Sequence, residues 1–394
     1  MRLIISLLFA LASGVAGAQS LREAVDAAWS RHPQARLLDG RIVELDAKRQ
    51  AAQAWFAGPG ALTLGNRNDR LNRNHGQQEY EAEIGMPLWL PGQRSVQQSL
   101  AERESAELEA QRTALRLALT GEVRDAWHAL SLARGETALA RDRLETAARL
   151  EADVQRRLQV GEVSRFDANL ARSEQLGAQS ALAEAQSKEL ETDLTLRALT
   201  GLEIRGDLPA ERPVGAPEQE APAIAMARSS AAAADARVRA TQAATREHPE
   251  ISLLVRRERA DFNETYANSI GVRVRLPFSR TPRTQAQIAA AQAESEQARA
   301  ALRQAELKVS LEQEKARREV DTARQQQDLA ESRRALAADN LSLALKAYQL
   351  GESDLSTLLR AQAAHYDAHR AAERARLALI AAQGRVNQAF GVLP

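Results

Sequence analysis

Residues Gln78 to Leu90 read QEYEAEIGMPLWL, a stretch in which apolar side chains recur at every second position. Glutamates fill the positions between them as far as Glu83. An alternation with a period of two is typical of a β-strand that has one apolar and one polar face. The stretch from Tyr266 to Phe278, YANSIGVRVRLPF, alternates in the same way but carries arginines between its apolar residues. The sequence therefore predicts two amphipathic strands.

A shorter alternating segment precedes each of these strands. Residues 61–66 and 251–257 carry apolar side chains at every second position, and polar stretches separate them from the longer strands. Two alternating runs joined by a polar turn are typical of a β-hairpin. We therefore expect one hairpin at about 60–90 and another at about 250–278.

The two hairpins belong to a duplicated pattern. Tyr80 corresponds to Tyr266, and Leu90-Pro91 corresponds to Leu276-Pro277. The distance along the chain is the same for both matches. Gly161 recurs at nearly the same offset as Gly351. Matches in the same order at nearly constant offset indicate an internal repeat. The predicted domains are a first repeat at 19–204, a proline-rich connector at 205–222, and a second repeat at 223–394. In each we expect a helix, a β-hairpin and a long helical hairpin, at about 94–201 and 283–391.

The segments that follow the hairpins have the composition of long helices. No proline lies between Arg94 and Val160 or between Arg283 and Leu350, and Ala, Glu, Arg, Gln and Leu dominate both segments. A helix of roughly 65 residues is about 100 Å long. Gly161 and Gly351 follow these helices at the places where a left-handed residue would end a helix and let the chain reverse. The expected fold class is mainly α with a β portion.

Composition excludes several functions. The chain has 53 Lys and Arg against 52 Asp and Glu, a net charge of +1, and no cysteine. No nucleic-acid footprint, disulfide framework or thiol nucleophile is therefore expected. We find no catalytic triad or phosphate loop, and His365 and His369, one helical turn apart, are too few ligands for a metal site. The sequence predicts no enzyme, no metal and no cofactor.

The N-terminus predicts export. Arg2 precedes an apolar run at 3–11, and a small-residue cleavage motif follows at 16–18. This is the pattern of a signal peptide at 1–18, and the absence of cysteine argues against a lipoprotein. No later stretch is long and apolar enough for a membrane-spanning helix, so a membrane span would have to be β. Four strands cannot close a barrel by themselves, so several chains would have to contribute to it.

The duplicated strands, the Leu-Pro exits and the turn motifs VGEVSRFD at 160–167 and YQLGESDL at 348–355 resemble the TolC family of outer-membrane efflux channels. The likeness spans the whole mature chain and leans toward the heavy-metal branch of CzcC-like proteins. It implies a homotrimer that forms a 12-stranded transmembrane β-barrel in the outer-membrane lipid, with an α-helical barrel reaching into the periplasm. The implied partners are a periplasmic adaptor and an inner-membrane pump of the RND type.

The resemblance also implies two sets of site residues. In the family the two glycine turns form a periplasmic tip that closes the duct. Its counterparts here are the turn glycines, the acidic Asp167, a latch tyrosine, and two residues that stand where the family has aspartates: Gly161, Asp167, Tyr348, Gly351, Thr357 and Arg360. The charged strand positions are expected to line the barrel lumen: Glu79, Glu81, Glu83, Arg273 and Arg275.

Two alternatives stay open at this point. A periplasmic adaptor also combines a signal peptide with an α-helical hairpin, although it would carry one hairpin between two β halves rather than two hairpins that each follow strands. A TolC-like duct also serves drug efflux or type I secretion. The sequence alone does not decide which substrate is exported.

Overall fold

The structure is a computed structural model that describes residues 20–206, 208–212, 220–244, 246–278 and 282–394. The predicted signal peptide and the centre of the predicted connector lie outside the described residues. The described part of the chain contains seven helices and four strands, in the order α1 Leu21–Arg31, α2 Pro33–Gln53, β1 Ala61–Asn68, β2 Gln78–Pro87, α3 Gln93–Gln159, α4 Arg165–Thr200, α5 Pro222–Ala243, β3 Glu250–Arg259, β4 Ala267–Arg275, α6 Pro282–Gln349 and α7 Leu355–Ala389. The predicted fold class, mainly α with a β portion, is confirmed.

The four strands form one antiparallel sheet in the order β1-β2-β3-β4. Each predicted hairpin is present, and the two are joined by pairing of β2 with β3, from Gln78 opposite Arg259 to Pro87 opposite Glu250. The outer strands, β1 and β4, each have one edge without a partner strand in the described sheet. The sheet therefore has two open edges.

The strand register aligns apolar side chains in rows across all four strands. One row consists of Leu62, Ile84, Leu253 and Val272, and the next of Leu64, Ala82, Val255 and Ile270. Most of these side chains are exposed, Ile270 to 77%. An extended apolar surface of this kind marks a contact with lipid or with another protein.

The helix boundaries follow local chemistry. The sequence predicts a single helix ahead of the first hairpin, but the structure has two, because the chain leaves the helix at His32, directly before Pro33. The residue before proline avoids the helical conformation. α5 begins with Pro222 at its first position. The backbone N–H of a first helical residue has no acceptor within the helix, so proline loses no hydrogen bond there.

The described residues divide into two compact units, and each takes parts of both sequence repeats. The first, the helical unit, holds α1, α4, α7 and the C-terminal parts of α3 and α6; the second, the sheet unit, holds α2, α5, the strands and the N-terminal parts of α3 and α6. A core around the buried Trp127 joins α1, α3 and α4 in the helical unit. Of the described helices, none carries an apolar stretch long enough to cross a membrane.

Candidate functional site: the charged sheet face and the helix turns

The predicted charged strand positions lie on the sheet face opposite the apolar rows. Arg273 Nη2 lies 3.0 Å from Glu81 Oε1, and the same guanidinium also pairs with Glu83. Arg256 Nε lies 2.9 Å from Glu79 Oε1, and its Nη2 lies 3.0 Å from Glu81 Oε2. The three glutamates and two arginines form a single ion-pair network across β2, β3 and β4.

This network differs from the sequence-based set in two residues. Arg275 lies outside it, because its guanidinium is 3.6 Å from Glu247 instead. Arg256 was missed, although it occupies an alternate position in a strand whose other face carries Leu253 and Val255. Extending the period-two pattern through β3 would have found it. Ion pairs between solvent-exposed side chains are individually weak because water screens them, so the main effect of the network is to cancel charge on this face.

The two predicted turns end α3 and α6 with the same backbone motif. Gly161 and Gly351 have left-handed φ angles of 81° and 75°. The amide of Glu162 donates to the carbonyl of Arg157 at 2.9 Å. In the same way, the amide of Glu352 donates to the carbonyl of Ala347 at 2.9 Å. Together with the bonds from the glycine amides, these make two Schellman motifs, which favour glycine at the left-handed position.

The helices that follow the turns are capped differently. Ser164 caps α4, its hydroxyl accepting from the Asp167 amide at 3.1 Å, and the Asp167 carboxylate accepts from the Ser164 amide at 3.2 Å. Asp354 caps α7 by accepting from the Thr357 amide at 2.9 Å. The pKa of Asp354 is lowered by its hydrogen bonds to Thr357 and then Ser356. Arg360 Nη2 donates to Thr357 Oγ1 at 3.2 Å.

The two turns are held together by an apolar cluster of α3, α4, α6 and α7. Its buried members are Val154, Ala168, Ala171, Leu355 and Leu358. Tyr348 packs against this cluster, and the Arg157 guanidinium lies 5.5 Å from the centre of its ring. Burial raises the pKa of the Tyr348 hydroxyl, against a smaller opposing effect of Arg157. That hydroxyl has no hydrogen-bond partner among the described residues.

The structure therefore places the six predicted tip residues at one pair of adjacent turns. Asp167 lies in a capping box, and Thr357 is the capped residue at the matching position of α7. The bond from Arg360 to Thr357 stays within α7, so no salt bridge joins the two turns among the six residues. Apolar packing, with Tyr348 at its edge, holds the turns together.

His365 and His369 lie on α7 with their ring centres 6.1 Å apart. Within the described residues, no group of three or more His, Asp or Glu side chains is arranged to hold a metal ion. Burial lowers the pKa of His365, and His369 and Arg334 lower it further. The pair fits no recognisable site of its own.

Known structures share this fold. The chain matches the outer membrane protein VceC from Vibrio cholerae with a TM-score of 0.75 at 17% identity, covering 94% of this chain and 96% of that one. It matches the CmeC outer membrane channel of Campylobacter jejuni with a TM-score of 0.74 at 16% identity, covering 94% and 85%. It matches the open state of the MtrE outer membrane channel of Neisseria gonorrhoeae with a TM-score of 0.73 at 18% identity, covering 94% and 89%. Identities this low establish the fold alone.

The sequence comparisons give the family. No curated protein matches the chain significantly. The family described as outer membrane efflux protein, however, matches residues 25–202 and again residues 216–392. The two matched segments cover nearly all of the described chain, and each contains a hairpin, a long helix and a glycine turn. The chain belongs to the outer membrane efflux protein family.

Proposed function

We propose that this protein is the outer-membrane channel of a tripartite efflux system of the RND type. It is a passive duct that carries small substrates from an inner-membrane pump, through a periplasmic adaptor, to the exterior. The observation that carries the proposal is the sheet, which has an exposed apolar face and an opposite face of mutually paired charges. Heavy-metal cations are the substrate class that the resemblance of the sequence favours. No catalytic step is part of this function.

The open edges of the sheet support an oligomeric barrel. An apolar sheet that meets lipid cannot leave its edge N–H and C=O groups unpaired, because the bilayer offers them no partner. Four strands are too few to close a barrel, and three copies of this sheet would supply 12 strands. The network of Glu79, Glu81, Glu83, Arg256 and Arg273 would then face the lumen, with Arg275 beside it.

The internal repeat suggests how the helices of neighbouring protomers pack to close the α-helical barrel. Inside one chain α3 of the first repeat packs on α7 of the second: the Arg143 guanidinium lies 4.8 Å from the centre of the Tyr366 ring. The offset that relates Gly161 to Gly351 makes Arg333 on α6 the equivalent of Arg143. The same offset, applied in reverse, makes Leu176 on α4 the equivalent of Tyr366. We infer that α6 of one protomer packs on α4 of the next, as α3 packs on α7 within the chain.

Burial supports this pairing. Leu139 on α3, beside α7, is 9% exposed, whereas its equivalent on α6, Leu329, is 72% exposed. Two further leucines, Leu336 and Leu343, continue at heptad spacing along α6 and are also exposed. A heptad stripe of this kind is a coiled-coil seam that lacks its partner. A second copy of the chain supplies one.

The helix turns would form the gate and the adaptor contact. Val160, Phe166 and Leu350 are large apolar residues that stay exposed at the turns. They suit an adaptor that docks there by apolar packing. Opening would spread the turns apart against the cluster that includes Tyr348, and Asp167 would act through its negative charge at the constriction.

Recordings in planar lipid bilayers test the function and the gate together. The wild-type protein should form channels of low conductance, and Asp167→Lys should raise the conductance at least several-fold. Ser164→Ala is the matched control, because it disrupts the same capping box without changing charge. Equal effects of the two variants would show that Asp167 serves only as a helix cap. Recovery of the wild-type protein in the soluble periplasmic fraction, with no channels formed, would overturn the proposed function.

The periplasmic adaptor considered from the sequence is the weaker candidate. The single four-stranded sheet assembled from both repeats and the family match both favour the channel. Drug efflux and type I secretion differ from metal efflux only in cargo. A deletion strain assayed for sensitivity to zinc, cobalt, cadmium and drugs would distinguish them.

A further inference from the structure

Two arginines interrupt the apolar face of the sheet at one end. The face consists of alternate residues of each strand, and beyond the row of Val255 it continues with Arg257 and Arg259 on β3. Their neighbours on this face are Asn66, Tyr80, Asn268 and Gln78. Within the described strands, Arg257 and Arg259 are the only charged residues on the apolar face. Both stand at the end that leads into the loops after β1 and β3.

An aromatic ring holds the two guanidinium groups in place. The Cζ atoms of Arg257 and Arg259 lie 4.5 and 4.9 Å from the centre of the Tyr266 ring. Arg259 also donates from Nε to the carbonyl of Gly76 at 3.1 Å and from Nη2 to Gln78 Oε1 at 3.3 Å. The Tyr266 hydroxyl donates to the same Gln78 oxygen at 2.5 Å. Cation–π contacts and these bonds reduce the freedom of both arginines.

The two guanidinium groups lack the carboxylates that accompany Arg256 and Arg273. Arg256 and Arg273 share three glutamates on the opposite face. Among the described residues no Asp or Glu forms an ion pair with Arg257 or Arg259, and Glu258 between them belongs to the other face. Two neighbouring cations without a carboxylate are stabilised by an external anion. A guanidinium pair binds the oxygens of a phosphate particularly well.

We propose that Arg257 and Arg259 form a binding site for the phosphate of an anionic membrane lipid. The inference rests on the proposed function, under which the apolar face contacts the lipid tails. The end of that face then lies at the level of the lipid headgroups, where tyrosines such as Tyr80 and Tyr266 are also favoured. A lipid seated here would pack its tails on the row of Ile84, Leu253 and Val272. Its phosphate would reach both guanidinium groups.

Lipid binding to the purified full-length protein tests the site. The protein is reconstituted into phosphatidylcholine vesicles with and without phosphatidic acid, whose headgroup is a phosphomonoester. Association of a fluorescent phosphatidic acid with the protein is then measured. We expect Arg257→Gln/Arg259→Gln to weaken this association about tenfold or more, because the variant lacks both charge-assisted contacts to the phosphate. Arg317→Gln/Arg318→Gln, which removes the same charge from α6, should leave it unchanged.

Four results would overturn the inference. Equal association of phosphatidic acid with both double variants would remove the arginines from the site. Full competition by inorganic phosphate at the concentration of the lipid would make this a site for free phosphate instead. Failure of the wild type to insert into either vesicle would overturn the proposed function and the lipid site with it. Normal insertion of every variant without a preference for phosphatidic acid would overturn the lipid site alone.

Discussion

Arg124 on α3 shows how a single side chain fastens the first half of the predicted connector. Its Nε and Nη2 donate to the two carboxylate oxygens of Glu211 at 2.8 and 2.6 Å, and Nη2 also donates to the carbonyl of Val392 at 2.7 Å. Only 3% of the Arg124 side chain and 9% of the Glu211 side chain are exposed. Removing one partner of such a pair leaves a buried charge and costs about 3–5 kcal/mol. The pair therefore fixes Glu211 and the C-terminal residues to α3.

His128 lies one helical turn after Arg124 on α3, and it should make the stability of the helical unit depend on pH. Burial lowers the pKa of His128, and Arg124 and Arg385 act in the same direction, while Glu211 and Asp125 oppose them. The unfolded chain then takes up a proton more readily than the folded one. The contribution of His128 to stability is intact above the ordinary histidine pKa of about 6.5 and is lost as the pH falls below it, by at most about 1.4 kcal/mol per pH unit.

Thermal unfolding at pH values from 8 to 5 checks this expectation. The Tm of His128→Gln should fall less steeply below pH 6.5 than that of the wild type. His75→Gln, in an exposed loop, is the control and should keep the wild-type slope. A slope in His128→Gln identical to that of the wild type would assign the pH dependence to other groups.

Among the secondary-structure elements, the sheet was the most predictable part and also the part that held the main surprise. The alternation in β2 and β4 gave both faces correctly. Neither the pairing of β2 with β3 nor the place of Arg256 in the network was predicted. Local alternation identifies a strand and its faces, but it carries no information about which distant strand lies beside it.

Neighbouring residues of β3 give a test of which sheet face meets lipid. Leu253 lies on the apolar face and is exposed, whereas Leu254 faces the other way, opposite Glu83. An arginine on the lipid face of a membrane barrel costs about 2–4 kcal/mol near the middle of the bilayer. Leu253→Arg should therefore greatly reduce the fraction of protein that folds into lipid vesicles.

Leu254→Arg is the matched control, because its new charge would join Glu83 in a solvated environment. The folded fraction is measured by the heat-modifiable migration of the folded protein in gel electrophoresis. A loss of folding in Leu254→Arg with normal folding of Leu253→Arg would reverse the assignment of the two faces.

For the molecule as a whole, the repeat gives one interface inside the chain and implies a second between chains. The chain has no cysteine, so paired substitutions can be cross-linked without interference. Arg333→Cys/Leu176→Cys places one thiol on each of the two helices that we propose to meet between protomers. Because the equivalent pair inside the chain meets through long side chains rather than closely spaced backbones, a bifunctional maleimide with a spacer of about 8–10 Å is used instead of oxidation. Treatment of this variant in membranes should give covalent oligomers up to a trimer.

The matched control uses the equivalent pair inside the chain. Arg143→Cys/Tyr366→Cys should be cross-linked internally by the same reagent and leave the chain monomeric on denaturing gels, because these two side chains meet within one protomer. Covalent oligomers from the control, or none from Arg333→Cys/Leu176→Cys, would contradict the proposed packing of α6 on α4.

Features that depend on neighbours along the chain could be predicted from the amino-acid sequence alone. The two strand faces follow from alternation, the long helices from composition, and the turns at Gly161 and Gly351 from the left-handed conformation that glycine accepts at little cost. Which distant segments meet could be read only from the folded chain. It joined β2 to β3, paired Arg256 and Arg273 with the glutamates of β2, set Arg257 and Arg259 on the apolar face, and packed α3 on α7. These contacts link residues far apart in the chain, and they are selected by burial and charge pairing in the folded protein rather than by local preference.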